Sequence, residues 1–276
     1  MADVIRAVLY GVLPALGAAL LLVGLLGTRW LGVANGLGLL VTLGLLKQRR
    51  PLWPHELWAG NNDAMLWLCW GALAVGLLAA LHPRRELPGW LAVPSGLACI
   101  GGNFWLVLVN PRKRWEVTEC VLQHGAAIAV AAVGWLSVRR AIGARPGPLM
   151  AWALSGCLAG DAALLHFSGS TLQGQLGGAV ATAFAAAAGT ALWRHPFVLD
   201  RTAALPFAAI HGGLLLTGVH LSELGPVPAV LAGVAPCALV LCGAANTGTA
   251  GAMRFLLGFA GMVALLGSAV WLTQKG

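Results

Sequence analysis

Few residues of this chain could carry chemistry, and the first is Asp161, set in the apolar stretch around Gly160-Asp161-Ala162. It lies about seven residues, or roughly 10 Å of helix, from the nearer end of that stretch, too deep for a short carboxylate to reach the surface. An ionised group in hydrocarbon costs about 2.5–3.5 kcal/mol on insertion scales, so it needs a partner or a purpose. Binding a cation or substrate amine, or passing a proton, is the chemistry open to it. A carboxyl satisfied by neighbouring hydroxyls or basic side chains is the bland alternative.

His211 is the second, in Leu205-Pro206-Phe-Ala-Ala-Ile-His211-Gly212-Gly213. Pro206 removes one helical hydrogen bond and the glycines weaken the next turn, so a kink is expected that frees the carbonyl of Thr202. Broken helices expose carbonyls that coordinate ions, although a packing histidine beside a functionless kink reads equally well. Asp161 and His211 are expected to face the bundle interior and line one polar cavity, since both are better placed against protein or water than lipid. A third group is Glu119, Gln123 and His124, where Glu119/Gln123 and Cys120/His124 each stand four residues apart and form adjacent polar stripes. These face either the bundle or water, the latter suiting an interfacial helix start.

Other chemistry is poorly supported. His211 and His220 are nine residues apart, half a turn out of phase, and no His-x-x-x-His pair exists. A haem held by two of His124, His166, His211 and His220 has no specific support, and no cofactor or metal is expected. The six cysteines form no Cys-x-x-Cys pair and read as small buried hydrophobes. No catalytic set is recognisable.

The elements that must position these residues are membrane spans. The chain is 59% hydrophobic and 9% charged, which excludes a soluble enzyme, a secreted protein and a nucleic-acid-binding domain. Apolar runs near 4–26, 30–46, 62–81, 89–109, 118–138, 148–167, 173–193, 203–222, 226–246 and 252–273 approach the roughly 20 residues needed to cross hydrocarbon. The fold expected is an all-α polytopic transmembrane bundle of about ten spans, a single transmembrane domain over residues 1–276. The second run is short and the fifth begins with polar residues, so those two are the weakest. The first is too long for a signal-peptide core and is read as a span. In the seventh, Gly177, Ala181, Ala185 and Gly189 beside Gly174, Gly178, Thr182 and Ala186 predict close helix packing, with a homodimer face as the alternative.

The net charge of +8 comes from basic residues at the ends of apolar runs, which read as topological anchors. On alternate sides of ten spans they favour the N-terminal side seven to three up to residue 138, then the opposite side six to one. The N-terminus is assigned to the cytoplasm on the first half. Either the fifth segment does not cross, or two similar halves insert in opposite senses. Offsets of 136–140 residues align Trp53-x-His55 with Trp193-x-His195, Asp63 with Asp200 and Glu86-Leu87 with Glu223-Leu224, which suggests a five-plus-five inverted repeat of 1–140 and 141–276.

At Leu165-His166-Phe167-Ser168-Gly169-Ser170, at Leu172-Gln173-Gly174-Gln175-Leu176-Gly177-Gly178, at His220-Leu-Ser-Glu223-Leu224 and at Val234-Ala235-Pro236, the chain resembles an uncharacterised family of bacterial polytopic inner-membrane proteins. The resemblance implies a multi-pass location in the bacterial cytoplasmic membrane and brings no activity with it. The five-plus-five architecture also looks like that of the drug/metabolite transporter superfamily. The partners expected are the lipid bilayer and a small-molecule substrate or ion. A small-molecule permease is the leading reading; a non-catalytic scaffold or accessory subunit, and a haem- or quinone-linked electron carrier, are the alternatives.

Overall fold

In a polytopic chain every backbone N–H and C=O inside the hydrocarbon must find its partner within the chain, which leaves helices as the economical solution. A computed structural model describes residues 7–47, 54, 63–81, 89–109, 115–144, 147–242 and 249–275, and its long elements are all helical. In chain order they are α1 Leu13–Leu26, α2 Leu31–Leu46, α3 Ala64–Leu81, α4 Gly89–Val107, α5 Val117–Ala144, α6 Pro148–Phe167, α7 Thr171–Gly189, α8 Ala204–Leu221, α9 Pro226–Val234 and α10 Thr249–Lys275. Nine stretches among the described residues are long and apolar enough to cross a membrane. The chain is a multi-pass membrane protein built as an all-α bundle.

Sequence chemistry sets several helix starts. Pro14, Pro148 and Pro226 open α1, α6 and α9, where a missing N–H is harmless. Asp63 accepts from the N–H groups of Met65 and Leu66 at the head of α3, and Asp200 from that of Thr202, at 2.8 Å, in the short 3-10 turn leading into α8. The two aspartates aligned by the internal offset thus do the same capping job. Trp53-x-His55 and Glu86-Leu87 lie outside the described residues.

The two weakest spans prove sound, and the break falls elsewhere. The second run forms a helical stretch from Thr28 to Leu46. The fifth runs antiparallel to α8 along its length: Trp115 meets His220 edge-on at 4.9 Å, while at the far end Arg201 lies against Gly143. It is long and apolar enough to cross and reaches from one end of the bundle to the other, which argues against a non-crossing fifth segment as the source of the charge reversal. The ninth run is the interrupted one, with α9 ending at Val234 and continuing as a 3-10 stretch, Ala235–Cys242, around Pro236. At about 1.5 and 2.0 Å per residue the two pieces laid end to end rise roughly 30 Å, the thickness of the hydrocarbon.

Helix α8 is the hub. It is the most enclosed of the nine spans, with 78% of its apolar window buried, and α3, α4, α5, α6 and α9 surround it. Helix α6 lies along α7 and against α10, and α7 packs on α1 and α2. Small residues permit this: Ala15 and Ala19 of α1 meet Ala179, Ala183 and Ala186 of α7, and Gly177 approaches Ala162 of α6 so closely that a Cβ would stand 3.0 Å from the Ala162 Cα. Gly174, Gly177 and Ala181 thus pack against α6 within the chain, whereas Gly178 and Gly189 have nothing within 4 Å of where a side chain would begin. The halves do not exchange, however. Helix α1 packs on α7 and α5 on α8, while the counterpart pairs α6 with α2 and α10 with α3 make no comparable contact among the described residues. The internal offset is not a symmetry of the packing.

Candidate functional site

The two residues singled out for chemistry meet. Asp161 projects from α6 and His211 from the middle of α8; the Asp161 Oδ2 and the His211 Nδ1 are 2.5 Å apart, with side chains 0% and 2% exposed. Asp161 Oδ1 and His211 Nε2 are buried without a hydrogen bond. The imidazole stacks on Phe207 at 5.4 Å, and Phe207 stands edge-on to Phe184 of α7 at 5.8 Å. That aromatic pair fixes the ring plane that faces the carboxylate.

The expected kink is absent. Helix α8 starts at Ala204, so Pro206 falls in its first turn, where proline is tolerated, and the helix continues unbroken to Leu221. Gly212 and Gly213 are packing positions, set against Phe104 and Leu68. The site is thus an acid–base pair between two continuous helices, and no unwound backbone takes part. Nor do the two residues line an open cavity together: each is the other's partner in a packed interior.

The pair belongs to a polar seam. Helices α6 and α8 meet over a narrower contact than α6 makes with α7 or α10, or α8 with α3, α4, α5 or α9. Further along, Gln173 of α7 donates its Nε2–H to the Thr217 carbonyl of α8 at 3.3 Å and accepts from the Ser222 hydroxyl at 2.7 Å. Side chains therefore bind the α6/α7 group to α8. The opposite side of α8 is apolar apart from Asn103 of α4, which donates to the Ala209 carbonyl at 3.1 Å. Asn103 and Gln173 were missed because an amide in a glycine- and leucine-rich run carries no positional signal.

Glu119 and Gln123 are exposed, and His124 is half-buried, edge-on to Trp105 of α4 at 5.6 Å. The bundle-facing reading of that stripe is overturned. With 28 residues α5 is about 42 Å long, and its buried positions, from Ala131 to Ile142, lie in the C-terminal half. Its first turns project past the packed region, which leaves these polar groups outside the Asp161–His211 seam.

A second feature is a cavity of about 910 Å³ at the end of the bundle where α8 begins. Arg29, Arg139, Arg194 and Arg201 line it, with Thr28, Ser95 and Thr202 and an apolar wall that includes Trp135, Ile142 and Leu205. Leu205 stands six residues before His211, roughly 9 Å along α8. The loops are tied: the Thr28 hydroxyl donates to the Val198 carbonyl at 2.7 Å and accepts from the Asp200 N–H at 3.2 Å, while Arg194 donates to the Val23 and Gly24 carbonyls at the end of α1. These arginines were read only as anchors; which loop ends converge is a property of the fold. Among the described residues no three His, Cys, Asp or Glu side chains converge as a metal site would need. No family model, curated protein or solved structure matches the chain.

Proposed function

We propose that the protein is a small-molecule permease of a bacterial inner membrane. One observation carries the reading: a fully buried carboxylate–imidazole pair bridges the narrow contact between α6 and the enclosed helix α8. Well-packed apolar side chains would hold two helices together at least as well as a buried acid–base pair, so stability alone does not call for this arrangement. What the pair adds is dependence on a proton. With one proton shared between Oδ2 and Nδ1 it is neutral overall, whichever atom holds it. Separating α6 from α8 leaves either two uncompensated charges or two wet neutral groups, so movement at the seam is tied to water entry and proton exchange. The polar seam continuing through Gln173, Thr217 and Ser222 gives such movement a path.

Uptake by the purified full-length chain in sealed vesicles under an imposed pH gradient tests this, using radiolabelled phosphate, phosphomonoesters, carboxylates and amines. Uptake of at least one solute above empty vesicles, stimulated by the gradient and abolished by Asp161→Asn, is expected. Absence of any Asp161-dependent flux across that panel would favour a non-catalytic scaffold.

A further inference from the structure

We infer that the arginine-lined cavity where α8 begins is a binding site for a phosphate-bearing ligand. Four guanidinium groups line it, and among the described residues Asp200 is the one carboxylate on its wall. That carboxylate accepts from the Thr202 N–H, so part of its accepting capacity is taken within its own turn. Arg29 and Arg139 make no hydrogen bond or ion pair among the described residues, and the Arg29 Nε is buried without a partner. The Thr202 hydroxyl, also on the wall, is buried and unpaired. A donor shielded from water without an acceptor is costly, and here guanidinium and hydroxyl donors line one half-open cavity.

The geometry selects the ligand's chemistry. Arg29 comes from the α1–α2 turn, Arg139 from the last turns of α5 and Arg194 from the segment before α8, so the donors reach the cavity from three directions. A carboxylate is planar with two oxygens and one charge. A phosphate monoester presents three acceptor oxygens and about −1.5 to −2 charge, and guanidinium groups grip it through paired N–H bonds. The volume suits a headgroup-sized ligand. Leu26 and Leu78 line the cavity and are 54% and 57% exposed, so part of its rim is apolar and accessible. An alkyl chain could leave over that rim, and inorganic phosphate or a soluble phosphoester shares the same headgroup chemistry.

Equilibrium binding to the purified full-length protein in phosphatidylcholine nanodiscs tests the site, with radiolabelled inorganic phosphate and dihexanoyl phosphatidic acid as probes and dihexanoylglycerol as the phosphate-free control. Saturable binding is expected, weakened about tenfold or more by Arg29→Gln or Arg139→Gln, the scale of one charge-assisted hydrogen bond. Arg254→Gln should leave it unchanged, because Arg254 is exposed and lines neither this cavity nor the smaller groove that shares Arg139 and Arg201 with it. Tighter binding of phosphatidic acid than of phosphate identifies a lipid source, and equal binding an aqueous one; either supports the site. No saturable binding, equal binding of dihexanoylglycerol, or an equal loss in Arg254→Gln overturns it. Should an arginine variant fail to fold, protection of Ser95→Cys from a charged thiol reagent by the same probes, in a chain whose native cysteines are replaced but whose arginines are intact, gives the answer, and absence of protection counts against the site. Binding is read without transport, so this result is separate from that of the uptake assay.

Discussion

Asp161 and His211, fifty residues apart in sequence, touch through Oδ2 and Nδ1 at 2.5 Å, and each leaves its other polar atom, Oδ1 or Nε2, without a hydrogen bond. Half of each group's capacity is used on the partner and half is held in a packed interior. Removing one partner strands the other, whereas removing both strands neither. Asp161→Ala and His211→Ala should therefore each lower unfolding stability by about 3 kcal/mol, while Asp161→Leu with His211→Phe should recover most of it. Reversible unfolding of the detergent-solubilised protein measures all three. A double variant as unstable as the sum of the singles would show that the pair is not the unit of stabilisation.

Helix α5 crosses the whole bundle, from Trp115 beside His220 to Gly143 beside Arg201. Single cysteines at Glu116 and Gly147, introduced into a chain lacking the native cysteines, should then label from opposite sides of intact cells with a membrane-impermeant thiol reagent. Labelling from one side at both positions would mean that α5 turns back.

How far the sequence reached follows from what each signal measures. Apolar run length is fixed by bilayer thickness, so nine of ten spans could be read directly, and the ninth misled because Pro236 and a stretch of 3-10 geometry replace the turns that length alone implies. Asp161 and His211 were legible because a titratable group in hydrocarbon is expensive whatever the fold, and the same cost turned both toward the interior; that they pair directly instead of lining an open cavity was not, since side-chain contacts between spans leave no trace in a glycine- and leucine-rich chain. The start of α8 was legible to within a residue, but Pro206 then falls in the first turn, where its missing N–H breaks no interior helical bond, so the expected kink does not form. The arginine cavity was invisible for the opposite reason: basic residues at span ends are ordinary, and only the convergence of four of them is unusual.

Helix α7 offers a paired test of packing. A side chain at Gly177 would meet the Ala162 backbone of α6, whereas at its neighbour Gly178 nothing lies within 4 Å. Gly177→Leu should destabilise the bundle by about 1–3 kcal/mol, as overpacking does, and Gly178→Leu should stay within about 0.5 kcal/mol of the parent. Equal effects would mean that α7 presents the opposite ridge to α6, or that Gly178 faces a second copy of the chain.

Gly27 couples a backbone requirement to the arginine cavity. It ends α1 with φ +109°, a conformation that L side chains rarely adopt, and its N–H donates to the Val23 carbonyl at 3.0 Å. The Arg194 guanidinium lies over the same residue: a Cβ there would stand 3.2 Å from its Nη2, while its Nη1 holds the Val23 and Gly24 carbonyls. Gly27→Ala therefore meets two obstacles of different kinds. The dihedral strain, about 1–2 kcal/mol, is local and persists whatever surrounds it. The contact with Arg194 is removable, but relieving it displaces one of the cavity's four arginines. Gly27→Ala should accordingly lower stability by about 1–2 kcal/mol in a thermal or denaturant unfolding measurement, and Arg194→Ala in the same chain should not restore it. Phosphate binding separates the two effects, since Gly27→Ala should weaken it by moving Arg194 although no donor has been deleted. Unchanged binding beside reduced stability would mean that Arg194 holds its place through the α1 carbonyls alone.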